Sequence, residues 1–411
     1  MLDHAKLYGT KHPARLGSVP ADRALTETAV RRAADAAERG ARAADQDRRL
    51  DPATVAALKE AGLARHFVPR RWGGQEGTFA ELVAATVRIA ERCPSAAWCG
   101  MLWAAHGRFA ARLPEQAQRE LWGNGPDVPI SAALAPPSGA ARPVPGGWSL
   151  DGRWDCVSGV GFADWVLLAA PVVPADSAAA RPCVRVFAVP GSDVAVHDTW
   201  HSTGLRGTGS DSVEVHGVLV PDHRSAVLDD VLGAAPEPGA APCRQAPAHL
   251  AGGAMLCAPA LGSARHALAV WTRWATAAPA GRPTALDDAS VQRALARSAA
   301  EIDAVELLLA RAATRADAEP TAPQAVAVNR RDAAVAVELL VEAVERLFRT
   351  GGAHVRDDAG EIQRAWRDVH TVAAHGALRL DASAGAFAVS VASADRAPAG
   401  SGAVPAQARQ R

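Results

Sequence analysis

Residues able to do chemistry gather in four stretches of this chain. The first is Thr199-Trp200-His201-Ser202-Thr203-Gly204-Leu205-Arg206-Gly207-Thr208-Gly209-Ser210, followed by Asp211 to Pro221. Glycines interleaved with Arg, Thr and Ser make a turn whose backbone approaches another group closely, and the Val213, Val215 alternation behind it reads as a half-buried strand. The turn fits neither G-x-G-x-x-G nor a phosphate loop, and no helix N-terminus follows to receive a phosphate, so nucleotide hydrolysis is excluded here. The second stretch, Trp98, Met101, Leu102, Trp103 and His106, is apolar with one titratable group, either a satisfied core histidine or an acid-base residue. The third runs from Gly147 to Trp165 and holds Ser158-Gly159. The fourth, Gln363 to His375, carries Arg364 and Asp368 at a spacing that suits an ion pair on one helical face. His370 and His375 lie five residues apart, roughly 140° around a continuous helix, so they cannot share a metal as an i, i+4 pair would. There is no G-x-S-x-G and no H-E-x-x-H, and His197 and His201 fall on a strand or turn without a third ligand. No metal site is expected.

These residues must be positioned by three kinds of texture. Residues 1–20 lack a period and are expected to form an arm. Over 21–126 helical signals dominate: Asp51-Pro52 is a cap followed by a first-turn proline, Thr78-x-x-Glu81 is a capping box, a helix begins near Ser95, and Leu113-Pro114-Glu115 opens another. Over 127–225 Pro, Gly and β-branched residues rise and short alternating runs appear, predicting a compact β domain. Residues 226–247, rich in Ala and Pro, read as a linker. From 248 to 394 the helical period returns, with Val291, Leu295, Ile302, Val305 and Leu309 along one face, predicting four long helices near 249–279, 286–317, 322–350 and 360–394. Residues 395–411 are expected to be a disordered tail.

Of the 411 residues, 49% are hydrophobic, enough for a large core in two or three units, and 44 basic residues cancel 44 acidic ones. Neither nucleic acid nor an anionic membrane is expected as a partner; a small molecule is. The N-terminus lacks an apolar signal core and no stretch approaches the roughly 18 apolar residues a spanning helix needs, so a cytoplasmic protein is expected. Six cysteines without a C-x-x-C pair read as free buried thiols.

The phrase Trp200…Gly-Leu-Arg-Gly-Thr-Gly-Ser-Asp…Val-Pro resembles the middle-domain signature of the acyl-CoA dehydrogenase superfamily, and more closely its flavin-dependent monooxygenase branch. Gly147-Trp148-Ser149-Leu150-Asp151-Gly152-Arg153-Trp154…Ser158-Gly159 is similar to the strand-turn-strand that lines the flavin, and a Ser followed by Gly is the monooxygenase variant. The resemblance spans about residues 21–390 and implies an α+β fold: an N-terminal helical domain, a central β-barrel or sandwich domain and a C-terminal four-helix bundle. It also implies a homotetramer with flavin sites completed between subunits. Ser131 and Ser158 would contact the flavin ring, Arg273 a flavin phosphate of a neighbouring subunit, and Gly351-Gly352 the cofactor's tail, although Thr276 replaces the usual Phe after Arg273 and a plain helix cap also explains the glycine pair.

For catalysis the resemblance implies that His375 acts as a base or peroxide partner beside the flavin C4a, that Ser158 hydrogen-bonds the flavin edge and that His106 orients a substrate hydroxyl. The dehydrogenases of the family need a carboxylate base, but its two known positions are empty: one reads His375-Gly376-Ala377, and no Asp or Glu occurs between Gln245 and Leu286. The expected activity is therefore a monooxygenase, the oxygenase component of a two-component system. It would take FMNH2 or FADH2 from a separate NAD(P)H:flavin reductase, react it with O2 to a C4a-hydroperoxide, and hydroxylate an aromatic, phenolic substrate, including those of natural-product biosynthesis. The alternatives are a flavin dehydrogenase or amino-sugar N-oxygenase on the same fold, and a flavin-less binding subunit.

Overall fold

The computed structural model describes residues 25–172, 183–277, 283–357 and 360–395; the expected arm and the tail beyond 395 lie outside them. Five helices come first: α1 (Glu27–Asp47), α2 (Pro52–Glu60), α3 (Phe79–Ala90), α4 (Pro94–Ala110) and α5 (Glu115–Trp122). Their starts follow from local chemistry. Asp51 accepts the Thr54 N–H ahead of Pro52, and Thr78 and Glu81 exchange both bonds of a capping box. α4, which carries Trp98, Trp103 and His106, is buried almost all round, as a helix without a polar stripe must be.

Two four-stranded sheets follow. Strands β1 (Ile130–Ala133), β2 (Ala140–Val144), β3 (Gly147–Val157), β4 (Trp165–Pro171), β5 (Val184–Pro190), β6 (Ala195–His197), β7 (Asp211–Pro221) and β8 (Ser225–Val227) pair in the orders β1-β4-β5-β8 and β2-β3-β7-β6. β1 runs parallel to β4, and the long β3–β7 pair bends at two register shifts, the second between Trp154 and Val157, just before Ser158. Leu150, Trp154, Phe187, Val213 and Val215 fill a core of their own.

The stretch 226–247 carries α6 (Leu228–Leu232) and α7 (Pro242–Gln245) and is packed: Val231 and Cys243 are buried, and buried Arg108 donates to the carbonyls of Cys243 and Ala246. The bundle comprises α8 (Ala248–Thr276), α9 (Ala289–Ala318), α10 (Pro323–Thr350), α11 (Glu361–Ala373) and α12 (Leu380–Asp395). The first three match the expected helices closely. The fourth does not: the helix expected over 360–394 breaks after Ala373, a short 3-10 turn at Gly376–Leu378 intervenes, and α12 continues. The angle argued above between His370 and His375 therefore fails, because His375 lies beyond the helix end. The cysteine expectation also needs correction: Cys93, Cys99, Cys243 and Cys257 are buried and free, whereas free Cys156 and Cys183 are exposed. No helix among the described residues is long and apolar enough to cross a membrane.

Candidate active site

The end of β3 delivers Ser158 onto α4. Gly159 turns the chain with φ 69°, and a Cβ there would sit 3.5 Å from Cys99 Sγ and 3.6 Å from Trp103 Nε1, so the turn lies flat on α4. Trp98 Nε1 donates to Ser158 Oγ at 3.1 Å. Ser131, fully buried at the start of β1, donates its hydroxyl to the Ser158 carbonyl at 2.8 Å and thereby fixes the serine's backbone. The residue before it, Ile130, accepts from His106 Nδ1 at 2.8 Å.

His106 is buried, and loss of hydration pushes its pKa down to about 4 against the opposing bond to Ile130. It is neutral at physiological pH, with Nδ1 carrying the proton and Nε2 a free lone pair. His375 approaches from the bundle side, its ring 5.8 Å from that of Trp98. It caps the 3-10 turn, Nδ1 accepting the Ala377 N–H at 3.2 Å, which leaves Nε2 to carry the proton of the neutral ring. Its edge is open to solvent in the single chain, yet the protein around it lowers its pKa by desolvation. His106 is thus linked to Ser158 through β1, and His375 through Trp98 of α4. His370 is held elsewhere, its ring tilted against that of Trp366 at 4.2 Å and its Nδ1–H donating to the Trp366 carbonyl at 2.8 Å.

Behind Ser158 stands the glycine-rich turn. Ser210 Oγ is 2.7 Å from Ser158 Oγ, and Thr208 Oγ1 is 2.7 Å from Ser210 Oγ. Leu205 adopts φ 49°, a left-handed conformation costly for a branched side chain. It is held by Asp368, whose Oδ1 accepts the Leu205 N–H at 2.6 Å. Asp368 therefore does not spend its carboxylate on Arg364 as the spacing suggested; burial raises its pKa to about 6 while the Leu205 bond pulls the other way. Sequence reasoning missed the parts played by Trp98, Ser210 and Asp368. Only the small polar residues after Gly209 hinted at one of them.

The other expected flavin contacts lie apart from this cluster. Arg273 is exposed in the last turn of α8. Gly351 caps α10, its N–H bonded to the Leu347 carbonyl, and Gly352 has φ 66° with open space where a Cβ would stand. No hydrogen bond described joins these three to Ser158. Two features fit a flat heteroaromatic cofactor with carbonyl acceptors: the buried Trp103 Nε1–H beside Gly159 has no partner, and the face at Gly352 is clear for a close approach. Among the described residues no group of three or more His, Cys, Asp or Glu is placed to hold a metal.

Residues 20–123 match the N-terminal domain model of acyl-CoA dehydrogenases, and residues 254–380 match the C-terminal one. The chain is 32% identical to the oxygenase component of an FADH(2)-dependent resorcinol hydroxylase of Rhizobium sp. (strain MTP-10005), covering 85% of this chain and 89% of that one. The chain belongs to the acyl-CoA dehydrogenase family. Within it the chain stands among flavin-dependent monooxygenase oxygenase components. The oxygenase subunit HsaA of Mycobacterium tuberculosis (strain ATCC 25618 / H37Rv) is 32% identical, with 82% of this chain and 87% of that one covered. XiaF from Streptomyces sp., solved with FADH2 and glycerol, superposes with a TM-score of 0.83 at 28% identity over 89% of this chain and 95% of that one. The family expectation and the three-part fold are borne out.

Proposed function

We propose that this protein is the oxygenase component of a two-component monooxygenase that uses reduced flavin and O2 to hydroxylate a phenolic aromatic substrate. The observation that carries the reading is the convergence on Trp98 and β1 of Ser158 and two neutral histidines with opposite free groups. Bound reduced flavin supplies the two electrons with which one atom of O2 enters the substrate and the other leaves as water. Ser158 and Trp103 hold the ring edge, Ser131 sets the Ser158 backbone, and Gly351-Gly352 and Arg273 receive the cofactor's tail, Arg273 across a subunit boundary.

His106 offers a lone pair at Nε2, the acceptor a phenol O–H needs. Drawing on that proton raises electron density on the ring carbons ortho to the hydroxyl, where oxygen transfer occurs. His375 offers an N–H at Nε2, a neutral donor that stabilises developing negative charge without a charged group to desolvate. A dehydrogenase is disfavoured because neither family position for its carboxylate holds an acid. The flavin comes from a separate reductase, and the homotetramer is supported by large apolar side chains left exposed on α12 in the single chain, Val389 at 67% and Val391 at 46%.

The test is to supply FADH2 with an unrelated flavin reductase and to measure O2 consumed, H2O2 released and hydroxylated product over a panel of phenols that begins with resorcinol. Product formation at the expense of H2O2 is expected with at least one phenol; H2O2 alone across mono- and polycyclic phenols would refute the reading.

A further inference from the structure

Three hydroxyls form an unbroken file that ends at Ser158. Thr208 Oγ1 lies 2.9 Å from the Leu205 carbonyl and 2.7 Å from Ser210 Oγ, and Ser210 Oγ lies 2.7 Å from Ser158 Oγ. Thr208 is fully buried and Ser210 4% exposed, so neither has water to turn to. Each hydroxyl has one proton to donate and two lone pairs. Trp98 Nε1 donates to Ser158 Oγ and can only donate; the Leu205 carbonyl can only accept.

With those ends fixed, the file has two self-consistent polarities. In one, Thr208 donates to the Leu205 carbonyl, Ser210 to Thr208 and Ser158 to Ser210, so that Ser158 presents a lone pair outward. In the other, Thr208 donates to Ser210 and Ser210 to Ser158, and Ser158 presents its proton outward. The second withdraws one donor from the Leu205 carbonyl, but that oxygen keeps Trp200 Nε1 at 3.0 Å and the Thr208 N–H at 3.1 Å. Neither polarity leaves a buried polar group stranded, so neither pays the usual penalty for one. The change is a rotation of three hydroxyls: every proton stays on its own oxygen and no covalent bond breaks.

We propose that Thr208 and Ser210 form a reversible hydroxyl relay that lets Ser158 accept a hydrogen bond from reduced flavin and donate one to oxidised flavin. This rests on the reading that Ser158 faces the flavin edge. The redox-active ring nitrogen there carries a hydrogen in the reduced form and is a bare acceptor in the oxidised form. A cofactor that arrives reduced and departs oxidised meets a matched partner at both times. Thr208 and Ser210 are positioning residues that act through Ser158.

The experiment is a pair of titrations on the full-length protein, FADH2 under anaerobic conditions and FAD in air, for wild type, Ser158→Ala, Ser210→Ala, Thr208→Val and Thr208→Ser. In Ser210→Ala the Ser158 proton loses its buried acceptor only when Ser158 must accept from the reduced ring, so FADH2 binding should weaken about tenfold more than FAD binding. Thr208→Val should shift the same ratio in the same direction and Thr208→Ser should restore it, which keeps the test decisive if Ser210→Ala does not fold. In the Ser158→Ala background the Ser210 effect should vanish. A ratio changed by Ser158→Ala but by neither Ser210→Ala nor Thr208→Val would overturn the relay alone. Unchanged binding of both flavins in Ser158→Ala would overturn the Ser158 reading, and the relay with it.

Discussion

His375 has two separable jobs, and one substitution divides them. Its Nδ1 caps the turn at Gly376–Leu378 by accepting the Ala377 N–H, while Nε2 carries the proton offered to the site. Losing a cap acceptor of this kind costs about 1 kcal/mol, which in a chain of 411 residues lowers the melting midpoint by about 1 °C. His375→Ala removes both jobs; His375→Asn returns an acceptor at the cap but no N–H at the Nε2 position. Removing one donor aimed at developing charge lowers rate by about 10²- to 10³-fold. Thermal midpoint, anaerobic FADH2 binding, and product formed per O2 consumed should be measured for all three proteins. The expected pattern is a midpoint lowered in His375→Ala and recovered in His375→Asn, flavin binding retained in both, and product per O2 collapsed in both. Recovery of product formation together with the midpoint in His375→Asn would refute the chemical role and leave His375 a cap.

Two further outcomes follow from burial. His106 has a folded pKa of about 4 against an ordinary 6.5, so on acidification the unfolded chain takes up the proton first. The stability it leaves intact above about pH 6.5 is lost as pH falls toward 4, amounting to about 2 kcal/mol by pH 5; the midpoint of wild type should therefore fall further between pH 7.5 and 5 than that of His106→Gln, and parallel falls would show that His106 is not held neutral. A Cβ at Gly204 would sit 2.2 Å from the Arg367 carbonyl, a backbone atom that cannot swing away. Gly204→Ala should cost about 1–3 kcal/mol and loosen flavin binding with it, and a wild-type midpoint would show that α11 and the turn are not in contact.

What was legible in the sequence was local or carried by motif. Asp51-Pro52 and Thr78-x-x-Glu81 start helices because the cap and the group it satisfies are three residues apart, and the apolar period of α8, α9 and α10 is written into each helix. The break at His375 was hidden, since the period resumes in α12 and a single glycine at 376 is a weak stop. Asp368 was read against Arg364, its neighbour on the helix, but its hydrogen-bond partner is Leu205, 163 residues away, and no local spacing encodes that contact. Ser158 and His106 were singled out by residue type and motif, whereas the Trp98 and Ile130 bonds that place them needed the packed fold.

The long-range contacts also explain why a buried carboxylate is kept at position 368. Its raised pKa records the cost of desolvation, so Asp368 is no bargain as a packing residue. The turn it serves is strained at Leu205 by about 1–2 kcal/mol, and a hydrogen bond from a backbone N–H to a charged acceptor contributes about 1.5–3 kcal/mol, enough to hold that conformation. The same turn is gripped twice more from outside the sheet: Arg367 donates to the Thr203 carbonyl at 2.5 Å and to both carboxylate oxygens of Asp45, at 3.1 and 2.8 Å, and Arg206 donates to the Asp45 carbonyl at 2.7 Å. The N-terminal helices and the bundle therefore fix the turn jointly. Because Leu205, Thr208 and Ser210 sit on it, they also fix where the hydroxyl file meets Ser158. A shift of α11 against α1 would move the acceptor end of that file, and with it His375, whose N–H bonds to the Val372 carbonyl at the end of α11.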